Sequence, residues 1–129
     1  MKNLVASLIL VSLCGCSSYS GITADGASTA YALSKGATEL NPLGYATIPL
    51  RLSLVSYAKT LPAEQGKPII QATNSFGWGA AIWNLTFNPI FGIGMAYILW
   101  SQDAKEREFY DLCARYKTPE QKCVWIPPK

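Results

Sequence analysis

The chain contains no histidine, and few of its residues carry a charge. Charged residues make up 15% of the 129 positions, well below the roughly 25% that is typical of soluble domains. Histidine is the commonest general base and the commonest transition-metal ligand, and without it the serines have no base to activate them. We therefore expect no enzyme activity, no metal site and no cofactor.

Positive charge is too scarce for nucleic-acid binding. The formal net charge is +3, and Lys2 lies in a segment that we expect to be removed. The rest of the chain is nearly balanced and has no basic stripe. Half of the residues are apolar, a composition that favours a membrane environment, and the length allows a single domain.

The N-terminus has the features of a bacterial lipoprotein signal. Lys2 precedes an apolar run at residues 4–13 (LVASLILVSL), which is too short to cross a bilayer. The run ends in LCGC at residues 13–16, which resembles the lipobox. In that motif the cysteine thiol receives a diacylglycerol, and a peptidase cuts after the small residue before it. We expect residues 1–15 to be the signal peptide and Cys16 to be lipidated; the alternative is an uncleaved helix that contains cysteine.

A lipid anchor at Cys16 places the protein in the cell envelope, on the extracytoplasmic side of a membrane. Asp after the cysteine resembles the inner-membrane retention signal of Gram-negative lipoproteins. This chain has Ser17 there, so the outer membrane is favoured. We expect residues 16–22 to form the lipidated tether, because SSYSG is short and polar.

Two helices are expected before the middle of the chain. Residues 23–36 predict the first, with Thr23 as N-cap and Gly36 as the C-terminal stop. Residues 43–60 predict the second, and residues 61–68 (LPAEQGKP) indicate a loop.

Two Asn-Pro pairs are expected to interrupt helices, since proline restricts the residue before it. They are Asn41-Pro42 and Asn88-Pro89. The second lies inside a stretch, Pro68 to Gln102, that has no charged residue. A straight span from Trp78 to Trp100 would cover about 33 Å. We favour a hairpin of two helices, because polar residues cluster near Asn88, where a span tolerates them least.

The C-terminal region, residues 103–129, is charged. Residues 104–116 (AKEREFYDLCARY) predict an amphipathic helix, followed by an extended tail. Its apolar side is expected to carry Phe109, Leu112, Cys113 and Tyr116.

Cysteine parity predicts a disulfide in this region. Cys16 would be consumed by lipid and Cys14 removed with the signal, which leaves Cys113 and Cys123 as an even pair in an oxidising compartment. The bond would staple residues 124–126 against the helix. A cytoplasmic tail would instead hold two free thiols.

The run Asp25-x3-Thr29 … Gly36-x2-Glu39-x-Asn41-Pro42 resembles a family of small bacterial helical membrane proteins of unknown function. In that family the first helix contains an acidic residue and a threonine. A glycine, a second acidic residue and an Asn-Pro pair follow at its C-terminal end. The match covers about 20 of 129 residues. The chain departs from the family in its lipobox and in its cysteine-bearing tail. The resemblance implies a membrane-associated helical hairpin around Asn41-Pro42, and it implies no activity.

The same region supplies a candidate polar cluster. Antiparallel packing of the first two helices would bring Arg51 toward Glu39, and ionisable groups among apolar helices are costly and often functional. Alternatively, Asp25 stabilises the first helical turn and Glu39 is a solvated loop acid. The candidate cluster comprises Asp25, Thr29, Glu39, Asn41 and Arg51.

The predicted fold is all-α, a small helical hairpin or four-helix arrangement with a disulfide-stapled C-terminal tail. Residues 23–102 form its apolar helical region.

We expect a lipid-anchored cell-envelope protein with a structural or protein-interaction role, whose partners are membrane lipid through Cys16 and an envelope protein. One alternative is a membrane-embedded small-ligand or ion-handling bundle that uses Asp25, Glu39 and Arg51. Another is an exclusion or immunity lipoprotein of a mobile element, for which the chain has no motif.

Overall fold

The computed structural model describes residues 18–36 and 44–128. The signal peptide, Cys16, Glu39 and the Asn41-Pro42 break lie outside the described residues. Within these ranges the chain has five helices and no strand, which confirms the all-α prediction. The helices are α1 (Ser20–Ser34), α2 (Gly44–Ala58), α3 (Ala63–Thr86), α4 (Pro89–Gln102) and α5 (Ala104–Tyr116).

Helix α1 begins earlier than predicted. Tyr19 is its N-cap residue, so residues 20–22 of the expected tether belong to the helix. Thr23 is not the cap, and its hydroxyl instead donates to the Tyr19 carbonyl at 3.0 Å. At the other end, Gly36 follows the helix with a φ of 81°, a left-handed conformation that suits glycine and agrees with the predicted stop.

The predicted loop at residues 61–68 is wrong. Helix α3 begins at Ala63, directly after Pro62, and Pro68 lies inside it. Long-range packing overrides the local loop signals here, as it often does with propensity. The backbone at Gly66 lies so close to Ala58 of α2 that a Cβ atom at position 66 would clash with the Ala58 carbonyl.

The helical hairpin is confirmed at Asn88-Pro89. Phe87 adopts a left-handed φ of 52° after α3, and the Asn88 side chain accepts a hydrogen bond from the Ile90 N–H at 2.9 Å. Asn88 is thus the N-cap of α4, and Pro89 is its first residue, where a missing N–H costs nothing. The two helices meet at Gly79, where an added Cβ would lie 2.7 Å from the Gly92 carbonyl oxygen.

Helix α3 is the centre of the fold, and each of the other four helices packs against it. Contacts of Gly21 with Asn74 and of Thr29 with Asn84 show that α1 runs parallel to α3. The Gly79–Gly92 contact is that of an antiparallel pair, α3 and α4. Glycines 77, 79 and 92 lie at close helix contacts, whereas Gly94 faces open space.

Polar side chains fill much of the interior, and large apolar side chains cover much of the exterior. Buried polar residues include Ser20, Asp25, Ser28, Arg51, Gln71, Thr73 and Ser75. Exposed apolar residues of α2, α3, α4 and the α3–α4 turn include Leu50, Leu54, Phe76, Trp83, Phe87, Ile90, Phe91, Ile93 and Tyr97. Within residues 18–36 and 44–128, no helix combines the length and apolar character needed to cross a membrane.

Helix α5 has the predicted bounds, but its buried residue was not predicted. Tyr110 is buried, whereas Leu112 and Tyr116 are exposed. The disulfide joins Cys113 to Cys123, with their Cα atoms 6.0 Å apart. It holds the tail so that the Trp125 ring contacts the Phe109 ring, with centroids 5.3 Å apart.

Candidate functional site

The most polar part of the interior is an ion pair between α1 and α2. Arg51 Nη2 contacts Asp25 Oδ2, and each side chain is only 9% exposed. Asp25 lies in the middle of α1, outside its first turn, so the alternative that it stabilises the helix start is wrong. Two opposite charges removed from water together are tolerable only when their remaining groups are also partnered.

Asn84 of α3 supplies those partners for Asp25. Its Nδ2 donates toward Asp25 Oδ1 at 3.2 Å and toward the hydroxyls of Ser28 and Thr29 at 3.2 and 2.8 Å. The Ser28 hydroxyl in turn donates to the Asp25 carbonyl at 2.9 Å. One amide group therefore ties α3 to a full turn of α1.

The Arg51 guanidinium has partners on its own helix and on α3. Its Nε and Nη2 lie 3.4 Å from the carbonyl and hydroxyl oxygens of Thr47, and the Phe76 ring lies 5.5 Å from its Cζ. Arg51 Nη1 is buried with no hydrogen-bond partner among the described residues.

The structure brings together three of the five residues of the candidate cluster, Asp25, Thr29 and Arg51. Glu39 and Asn41 lie outside the described residues, so the expected approach of Arg51 to Glu39 stays a prediction. Sequence reasoning did not assign Asn84 to the cluster, although its amide stands in the charge-free stretch, where a polar side chain that faces the interior needs a partner.

A polar cleft lies between the start of α1 and the α4–α5 junction. It has a volume of about 470 Å³, and its lining includes Ser18, Gln71, Trp78, Gln102 and Glu106. Gln71 Nε2 donates to Glu106 Oε2 at 2.8 Å, which joins α3 to α5. The cleft thus marks the level at which the start of α1 meets the charged C-terminal region.

A second ion pair fixes the tail to the start of α3. Lys117 Nζ contacts Glu64, whose side chain is almost fully buried. The hydrogen bond from Lys117, aided by a backbone N–H, lowers the pKa of Glu64 below its ordinary value of 4.5. The disulfide joins the tail to α5, and this pair holds the end of α5 against the start of α3.

The carboxylate of Asp25 is engaged within the cluster on both of its oxygens. The acid in the apolar region, Asp25, is neutralised by Arg51 and covered by Asn84, so it presents no free carboxylate to a substrate. Among the described residues no group of three or more cysteine, aspartate or glutamate side chains is placed to hold a metal ion. Comparison of the chain with protein families, curated proteins and solved structures gave no match.

Proposed function

We propose that the protein is a lipid-anchored cell-envelope protein with a structural or protein-interaction role. The observation that carries this proposal is the distribution of its side chains, polar inside and apolar outside over α2, α3 and α4. Such an exterior needs contact with lipid or protein, because monomers in water rarely expose large apolar patches. The lipobox-like LCGC at residues 13–16 supplies the anchor.

The C-terminal region supplies the part that faces a partner. Helix α5 and the tail carry charged residues at high density. The disulfide joins the tail to α5, and the Glu64–Lys117 pair and the Gln71–Glu106 hydrogen bond hold them on α3. A fixed charged surface favours selective association with another protein. Val124 and Ile126 add apolar contacts, as both are exposed.

Acyl labelling in bacterial cells tests the anchor. The wild type should incorporate labelled lipid and migrate at its mature size, whereas Cys16→Ser should remain an unlabelled precursor. Cys14→Ser is the matched control, because Cys14 precedes the cleavage site; this variant should be labelled and processed normally. Labelled, mature-sized Cys16→Ser protein would refute the proposal.

Arg51 Nη1 favours a second candidate, a small-ligand or ion-handling bundle. This buried nitrogen has no partner among the described residues, and such donors attract anions. If the bundle binds an anion there, phosphate at constant ionic strength should raise the melting temperature of the wild type but not of Arg51→Met. An equal response of both proteins would show that the cluster is structural only.

A further inference from the structure

Charge is sharply divided between two parts of the molecule. Helices α1, α2 and α4, with the part of α3 after Lys67, contain only two charged residues, Asp25 and Arg51. These two pair with each other in the interior. The outer faces of these helices therefore present no charged side chain to their surroundings.

The same helices expose large apolar side chains. Ile90, Ile93 and Tyr97 of α4 are 74%, 67% and 71% exposed, and Leu50 of α2 is 68% exposed. We call the exposed apolar residues of α2, of residues 76–87 and of α4 up to Ile98 the apolar band. Its interior is packed through glycines and small polar residues, the pattern of helices that associate in lipid.

Aromatic residues paired with cations mark one edge of the apolar band. Lys59 Nζ lies 4.6 Å from the Tyr19 ring centroid, and Arg107 Cζ lies 3.3 Å from the Trp100 ring centroid. Tyrosine and tryptophan concentrate at membrane–water interfaces, and the long stems of lysine and arginine reach from there to water. We call these four residues the belt.

The described chain begins at this same edge. Ser18 lines the same cleft as Leu99 and Gln102, which lie close to Trp100 in the sequence of α4. Ser18 follows the proposed lipidated Cys16 by two residues. Acyl chains attached at Cys16 would therefore enter the bilayer at the level of the belt.

From these observations we propose that the apolar band lies in the hydrocarbon of the membrane, with the belt at the interface and α5 and the tail in water. Helix α1, which runs from the belt to the far end of the bundle, has 15 residues and extends about 22 Å. That length is less than the roughly 30 Å of a typical hydrocarbon core, so the apolar band is seated in the hydrocarbon without any described helix crossing it. The inference deepens the proposed function, and only its account of the acyl chains rests on the Cys16 anchor.

Lipid fits this surface better than a second copy or a protein partner. Protein interfaces combine an apolar centre with a polar, charged rim. Here a band without charge is bounded by paired aromatic and cationic side chains, and the chain end that would carry the acyl group lies at that boundary. The separation of charged from apolar surface and the position of Ser18 thus both favour lipid as the molecule that contacts the apolar band.

Tryptophan quenching measures the depth of each part. The lipidated protein is reconstituted in phosphatidylcholine vesicles with bromine near the headgroup or deep in the acyl chain, and one tryptophan is kept while the others become phenylalanine. Trp83, exposed within the apolar band, should be quenched by deep bromine. Trp125, in the tail, should be quenched by neither lipid. Helical circular dichroism and an intact disulfide confirm folding of each variant.

A matched pair of surface substitutions supplies a second measurement. Ile93 in the apolar band and Val124 in the tail are 67% and 68% exposed, so a lysine at either position disturbs no packing. We expect Ile93→Lys to weaken partitioning into vesicles about tenfold or more, because burying lysine in hydrocarbon is costly. Val124→Lys should leave partitioning unchanged.

The outcomes separate the anchor from the band. Vesicle-bound protein without deep quenching of Trp83 would overturn the seating of the band and leave the anchor intact. Deep quenching of Trp83 in the unlipidated Cys16→Ser variant would support the seating of the band and show that it does not depend on the acyl chains. An unquenched Trp83 in a protein that sediments as a dimer would assign the face to a second copy, and equal effects of the two lysine variants would also overturn the proposal.

Discussion

Arg51 and Asp25 form a buried ion pair that connects α2 to α1 across 26 residues of sequence. Asn84 closes the other side of the carboxylate, so the pair also connects to α3. A pair of this kind fixes how the three helices are aligned with one another, because either charge left alone in the interior would be costly.

Removing one member of this pair should destabilise the fold strongly. We expect Arg51→Met to lower the free energy of unfolding by about 3–5 kcal/mol, since it leaves Asp25 buried and unpaired. The double variant Asp25→Asn, Arg51→Met should recover part of that loss. Denaturant unfolding in detergent measures both. Arg115→Met is the control, because the Arg115–Asp111 pair is exposed and should contribute less than about 1 kcal/mol. Equal losses in both single variants would contradict the structure.

Two glycines should respond oppositely to an added methyl group. A Cβ at Gly79 would lie 2.7 Å from both the Ala96 Cβ and the Gly92 carbonyl, whereas nothing lies within 4 Å of a Cβ at Gly94. We expect Gly79→Ala to cost about 1–3 kcal/mol by separating α3 from α4. Gly94→Ala should stabilise the protein by about 0.5–1 kcal/mol, since alanine favours the helix. Thermal unfolding compares them, and stabilisation by both would disprove the close α3–α4 contact.

Acid should weaken the attachment of the tail. Lys117 stabilises the ionised form of Glu64 and lowers its pKa below the ordinary value of 4.5. The pair therefore contributes its full stabilisation of the folded state at pH values above 4.5. This contribution is lost as the pH falls through the lower folded pKa. Glu64→Gln should therefore reduce the melting temperature at neutral pH and flatten its decrease below pH 4.5. The exposed Glu120 provides the control variant Glu120→Gln, and an identical pH profile for Glu64→Gln and wild type would rule out this role.

Reduction should loosen the tail without unfolding the bundle. The disulfide closes a short loop of ten positions, for which chain entropy gives a stabilisation of about 2–3 kcal/mol. We expect Cys123→Ser to increase protease cleavage after Lys122 and to leave helical circular dichroism nearly unchanged. Ser101→Ala, an exposed site in α4, is the control. Resistance of the reduced protein to cleavage would mean that Trp125 and Lys117 hold the tail without the bond.

Local signals in the sequence determined the helical class, the Asn88-Pro89 turn and the bounds of α5. Each of these depends on neighbouring residues: an asparagine side chain that caps, a proline that lacks an N–H, and a short amphipathic repeat. Cysteine parity likewise predicted the Cys113–Cys123 bond. The start of α3 was missed, because proline and glycine favour a loop locally while contacts of Gly66 and Glu64 stabilise a helix.

Only the tertiary structure decided how the polar residues pair. Sequence reasoning grouped Asp25, Thr29 and Arg51, but it did not assign Arg51 to Asp25 or add Asn84, which is 59 residues from Asp25. Helical periodicity places residues on faces, and it does not say which faces meet. That choice follows from close approach at Gly21 and Gly77 and from the need of each buried charge for a partner, and both conditions are met only when all the helices are packed.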